Sequence, residues 1–104
     1  ACSAQFSSDG IAVFEPTHGS VPKYAGYEIP IVNPIAMIES ACMMLEYLDE
    51  NAISEKIRKS IADVILEGRV KTYDMMKMTG RPEVINNGAA STVQMTDAII
   101  SRLK

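Results

Sequence analysis

Ile11-Ala12-Val13-Phe14-Glu15-Pro16-Thr17-His18-Gly19-Ser20-Val21-Pro22-Lys23-Tyr24-Ala25-Gly26, with Asn33-Pro34 following shortly after, decides how this chain is read. Ile11–Phe14 is a short apolar run rich in β-formers and predicts a strand. The stretch after it is dense in Gly, Pro, Ser and Thr and predicts a long loop with no packed element of its own. Asn33 is a good helix N-cap and Pro34 suits the first helical position, where its missing N–H is no loss. The order is therefore strand, loop, helix, as in an α/β fold, where ligands often bind at the ends of strands. The loop concentrates the chain's one His with Lys23 and Tyr24. From composition alone the same stretch suits an ordinary surface connection equally well.

Outward from that segment, Ser7-Ser8-Asp9-Gly10 is a turn signal leading into the strand. Ile35, Ile38, Cys42, Leu45 and Leu48 recur at helical spacing and predict a helix over Pro34–Asp49, with Met37, Met43 and Met44 widening its apolar surface. Cys42 reads as a small buried apolar residue. A second helix is predicted over Ala52–Glu67, with Ile53, Ile57, Ile61, Val64 and Ile65 inside and Gly68 as its terminating glycine. Arg69–Tyr73 reads as a short strand or extended segment, and Asp74–Met78 as one or two turns. Ser91 and Gln94 form a capping box for a last helix whose apolar face is Val93, Thr96, Ile99, Ile100 and Leu103. If Asp74 opens a helical turn, Tyr73 and Lys77 share a face. Taken by themselves, Tyr73 packs and Lys77 is solvated.

Composition narrows the class. The chain has 104 residues, 47% hydrophobic and 22% charged, with a net charge of −3. That describes one soluble globular unit, residues 1–104, and cysteine usage without a disulfide framework points to a reducing, cytoplasmic compartment. No run approaches the roughly 20 apolar residues of a membrane span, and no basic stripe points to nucleic acid. Cys2 and Cys42 make neither a disulfide framework nor a metal motif. The chain begins with Ala1 rather than Met, which suggests a cut or processed chain.

Ala12–Ser20, Lys23-Tyr24-Ala25-Gly26 and Val32-Asn33-Pro34 together resemble the C-terminal part of the β-decarboxylating dehydrogenases of isocitrate, isopropylmalate and homoisocitrate. The likeness continues through Ala41–Leu45, Val70–Asp74 and Thr96–Ile100 and so covers nearly the whole chain. It implies the C-terminal part of that family's large domain, with short strands covered by three main helices. It also implies that His18, Gly19, Ser20, Val21, Pro22, Lys23 and Tyr24 hold the adenosine part of a nicotinamide cofactor. The His18 ring would lie against the adenine, and Asn33 matches the residue whose amide reads the adenine edge. Tyr73 and Lys77 fall where NADP-using members place a Tyr and an Arg on the 2′-phosphate. NAD-using relatives carry an acid and an apolar residue where this chain has Lys23-Tyr24. Two donors there suit a phosphate dianion, so the resemblance implies NADP. Lys77 in place of Arg offers a point charge rather than a fork.

The implied parent enzyme oxidises isocitrate and decarboxylates the product to 2-oxoglutarate within the tricarboxylic acid cycle, with Mg²⁺ or Mn²⁺, as a homodimer. The family's catalytic and metal-binding residues lie N-terminal to the matched segment, so none is expected here. Isopropylmalate or homoisocitrate as substrate, and a non-catalytic nucleotide-binding or regulatory module of the same fold, are the alternatives. Because Ile11–Phe14 and Val70–Tyr73 make a thin sheet for three helices, the chain is expected to self-associate, to keep an exposed apolar patch, or to be part of a longer protein.

Overall fold

The computed structural model describes residues 2–16 and 22–103, with residues 22 and 23 described at the backbone only. Strands β1 (Cys2–Phe6) and β2 (Ala12–Pro16) form an antiparallel hairpin in which Ala4 faces Phe14. Among the described residues four helices follow: α1 (Pro22–Ala25), α2 (Ile35–Tyr47), α3 (Asn51–Glu67) and α4 (Thr92–Ser101), with a 3₁₀ segment at Pro82–Asn87 before the last. The expected strand is present, starting one residue later than read and running on to Pro16. The predicted turn closes it, with Gly10 at φ 88° and the Ser7 N–H donating to the Ile11 carbonyl at 2.8 Å.

β1 is an element that the sequence did not announce. Cys-Ser-Ala-Gln-Phe has weak alternation, and pairing with β2 rather than propensity makes it a strand. Conversely, Arg69–Tyr73 forms no strand; the segment bends and hands its Lys71 carbonyl to the Ala90 N–H at 2.8 Å. The long loop also contains one helical turn, α1, that its composition argued against.

α2 lies across the hairpin. Tyr47 closes an aromatic cluster with Phe6 and Phe14, ring centroids 5.5 and 5.6 Å away, within the range of favourable aromatic contact. α2 ends with Asp49 in the left-handed region (φ 61°) and the Glu50 N–H on the Leu45 carbonyl at 2.7 Å, which turns the chain straight into α3. Arg58 on α3 reaches back to Glu46 on α2 at 2.9 Å, and Ser54 donates to the same carboxylate, which together hold its pKa below the usual range.

Two apolar clusters result. Ile61, Val64, Met95 and Ile99 join α3 to α4, with Ile35, Ile38 and Ile57 packed against them. Ile31, Val84 and Ala89 form the second, bordered by Tyr24, Tyr27, Tyr73 and Met78. Cys42 is fully buried, as expected. The predicted stripes of α3 and α4 are each rotated. Ile53 and Ile65 are half exposed while Ser54 and Ser60 are buried, and Met95 replaces Val93 and Ile100 on the inner face of α4. The reason is local: the Ser60 hydroxyl donates to the Ile99 carbonyl of α4, so a small satisfied polar side chain sits where the two helices approach. Apolar surface is left outside, with Leu66 84% exposed.

The segment between α1 and α2 has no secondary structure, yet Ile31 is completely buried. Its backbone ends on one residue: the Thr92 N–H donates to the Pro30 carbonyl at 3.0 Å and the Thr92 hydroxyl to the Val32 carbonyl at 2.6 Å. Truncating Ile31 to Ala should therefore cost about 2–5 kcal/mol, the range for a fully buried aliphatic side chain. A denaturant midpoint lowered by that free energy divided by the slope, with the slope itself unchanged, is the expected result.

Candidate functional site

Residues that the sequence separates widely meet where α1, the segment before α2 and the turn after α3 converge. The Tyr24 and Tyr73 rings lie edge to face with centroids 5.9 Å apart, and Tyr27 packs on Tyr24 at 5.4 Å. Tyr24 and Tyr73 are also hydrogen-bonded to one another. Burial of the Tyr73 phenol, reinforced by that bond, pushes its pKa up to about 12. At neutral pH the phenol is thus a neutral donor held in place by its neighbours.

The second half of the site is polar. Asn33 Nδ2 donates to Asp74 Oδ2 at 3.1 Å, and Asn33 Oδ1 accepts from the Ile35 N–H at 2.9 Å. The helix assignment starts α2 at Ile35, but the capping bond expected of Asn33 is made. Thr72, wholly buried, donates its hydroxyl to the other oxygen of Asp74. Asp74 is therefore gripped from both sides.

Tyr73–Lys77 form a single turn. The Met78 N–H donates to the Tyr73 carbonyl at 2.9 Å and the Lys77 N–H to the Asp74 carbonyl at 3.2 Å, the pattern that terminates a helix. Lys77 occupies the left-handed position of that pattern, φ 60°. The turn predicted over Asp74–Met78 is present, but the helical relation between Tyr73 and Lys77 breaks at Lys77. The Lys77 side chain is exposed.

Of the other expected site residues, His18, Gly19, Ser20 and Val21 lie outside the described residues, and Pro22 and Lys23 open α1. As site residues the sequence singled out none of Thr72, Asp74 and Gly80, Asp74 being read only as the opening of a turn. A Thr-x-Asp pair is a known local hydrogen-bonding pattern and was the available signal for the first two. Gly80 carried none. It is buried where any Cβ would run into the Tyr24 ring and hydroxyl. A cleft of about 470 Å³ adjoins this region, lined by Met78, Thr79, Arg81, Glu83, Val84 and Asn87. Among the described residues no group of three or more His, Cys, Asp or Glu side chains is placed to hold a metal ion. No helix among them is long and apolar enough to cross a membrane.

The fold and site thus define an α/β unit presenting a cluster of phenols beside a fixed amide and carboxylate. The profile of the isocitrate/isopropylmalate dehydrogenase family matches residues 1–99, and the chain belongs to that family. It is 40% identical over 93 residues to isocitrate dehydrogenase [NADP] of Thermus thermophilus, covering 89% of this chain and 17% of that protein. With isocitrate dehydrogenase [NADP] of Staphylococcus aureus the identity is 43% over 96 residues, covering 91% and 21%. With isocitrate/homoisocitrate dehydrogenase of Thermus thermophilus it is 40%, covering 92% and 25%. The crystal structure of isocitrate dehydrogenase from Methylococcus capsulatus superposes with a TM-score of 0.78 at 34% identity, covering 98% of this chain and 26% of that one. The chain therefore spans about a fifth to a quarter of the length of these relatives, 17–26%.

Two expected outcomes follow from the geometry. Gly80→Ala should displace the Tyr24 ring and cost about 1–3 kcal/mol, as overpacking does. A shifted near-ultraviolet tyrosine signal and a lowered denaturant midpoint would register it. Tyr73 binds its proton more tightly folded than unfolded, where tyrosine titrates near 10. Stability from this group is complete below about pH 10 and falls as pH rises toward 12. Tyr73→Phe should flatten that decline and remove the latest phenolate step from the absorbance titration.

Proposed function

We propose that residues 1–104 are the C-terminal, adenosine-binding part of an NADP-dependent isocitrate dehydrogenase. The convergence of Tyr24, Asn33 and Tyr73 carries this reading. They come from three separate segments, and the family resemblance gives each a role toward the same cofactor. The names of the NADP-dependent relatives support it. The residues present fit the dinucleotide: Tyr24 and Tyr73 offer phenols beside one another, Lys77 an exposed side chain with a terminal amine, and Asn33 an amide whose oxygen and nitrogen are fixed. Lys23 adds a second cation next to Tyr24 in the sequence. His18, Gly19, Ser20, Val21 and Pro22 would line the adenosine.

The whole enzyme would oxidise isocitrate to oxalosuccinate and release CO₂ to give 2-oxoglutarate, a step of the tricarboxylic acid cycle. NADP supplies the hydride acceptor, and Mg²⁺ or Mn²⁺ polarises the carbonyl. The metal ligands and the proton-transfer residues would come from the rest of the protein, which would work as a cytoplasmic homodimer. This chain's own task is to grip the cofactor's adenosine end and to tell a 2′-phosphate from a 2′-hydroxyl. Isopropylmalate and homoisocitrate dehydrogenases are the second reading, favoured by the isocitrate/homoisocitrate relative. Lys23-Tyr24 argues against it, because an acid accepting from the ribose hydroxyls would stand there in an NAD enzyme.

Each donor reaching a phosphate dianion contributes about 1.5–3 kcal/mol, less where salt and water screen it. Lys23→Asp with Tyr24→Ile should lower kcat/KM for NADP by about two to three powers of ten and leave that for NAD unharmed or improved. Lys77→Ala alone should cost about tenfold, since an ammonium clamps less firmly than a guanidinium. Equal movement of both cofactors at fixed ionic strength would remove the phosphate role from this pair.

A further inference from the structure

Asn33 stands between a donor and an acceptor, and this fixes more than its position. The Ile35 N–H can only donate, so the oxygen of the Asn33 amide must face it; the Asp74 carboxylate can only accept, so the nitrogen must face that side. Rotating the amide by half a turn would set N–H against N–H at one end and oxygen against carboxylate at the other. Asp74 is itself kept from turning, because buried Thr72 donates to its second oxygen and Asp74 lies inside the closed turn from Tyr73 to Lys77. The amide therefore presents its remaining lone pair and its remaining N–H to the outside in one order only.

We propose that Asp74 is a positioning residue for cofactor choice, locking the Asn33 amide so that the site selects a 6-aminopurine over a 6-oxopurine. The proposal rests on the assignment of Asn33 to the adenine edge. Adenine shows a donor at its 6-amino group beside an acceptor at N1, whereas hypoxanthine shows an acceptor at O6 beside a donor at N1. An amide free to flip matches either order; a locked one matches a single order. In this proposal Asp74 acts through its hydrogen bond to Asn33 rather than on the purine itself. It should act alike on NADP and NAD, because it works at the base and not at the 2′-position.

The test is calorimetric binding of NADP and of its hypoxanthine analogue to the full-length enzyme, without isocitrate. Wild type is compared with Asp74→Ala, Asp74→Asn, Asn33→Ser and the double variant Asp74→Ala/Asn33→Ser. Serine at position 33 keeps a side-chain oxygen for the helix start, so that variant loses the amide without losing the cap. Asparagine at position 74 nearly keeps the shape and can still accept from Thr72, which preserves the fold should alanine there disturb it. Losing one charge-assisted hydrogen bond should raise the Kd for NADP about tenfold in both position-74 variants. The hypoxanthine analogue should weaken less, so that the preference for the 6-aminopurine narrows severalfold. The double variant should bind no worse than Asn33→Ser, because the two residues act as one unit. Equal weakening of both purines, or losses that add in the double variant, would reduce Asp74 to a structural support and overturn the proposal. An unchanged Kd in the position-74 variants beside a weakened Asn33→Ser would overturn it alone. An unchanged Kd in Asn33→Ser would remove Asn33 from the adenine edge and take this proposal with it.

Discussion

Thr92 is the residue on which the arrangement of the site depends. It sits at the start of α4, yet its N–H and hydroxyl hold the Pro30 and Val32 carbonyls of a segment about 60 positions earlier. With Ile31 buried between those two bonds, the chain arrives at Asn33 in one place although no helix or strand carries it there. The capping box at Ser91 and Gln94 secures the helix that holds Thr92. Order thus passes from a helix start in the last quarter of the chain to an amide in its first third. Polar bonds supply the direction and the apolar cluster around Ile31, Val84 and Ala89 the driving force.

The two halves of the site are built on different physics. Tyr24, Tyr27 and Tyr73 form a packed aromatic group held by area and ring geometry, with the Tyr73 phenol kept neutral by its burial. Asn33, Asp74 and Thr72 form a chain of hydrogen bonds in which every partner has one permitted orientation. Gly80 belongs to the first half, since the backbone there closes on Tyr24 where a side chain would stand.

Local signals in the sequence transferred well, and those that depend on three-dimensional neighbours did not. The Asn33–Pro34 helix start, the Ser91–Gln94 capping box and Gly68 at the end of α3 are each decided within a few residues, and each is present. β1 was illegible because a strand of Cys, Ser, Ala, Gln and Phe exists through its partner. The inner faces of α3 and α4 were misjudged because periodicity counts Ile53 and Val93 as apolar but cannot see that Ser60 finds a carbonyl across the helix pair. At the site, Tyr24, Asn33, Tyr73 and Lys77 were singled out in advance by family resemblance. Asp74 was noticed only as the opening of a turn, since its partnership with Asn33 spans 41 positions and has no sequence period.

Lysine at position 77 is an odd choice for the backbone that it occupies. A left-handed φ of 60° at the end of a turn is glycine's natural place, and a side chain there costs about 1 kcal/mol. Drift toward glycine would relieve the chain and at the same stroke delete the ammonium. Under the role proposed for Lys77, a sturdier backbone and a cation for the cofactor make opposite demands on this position.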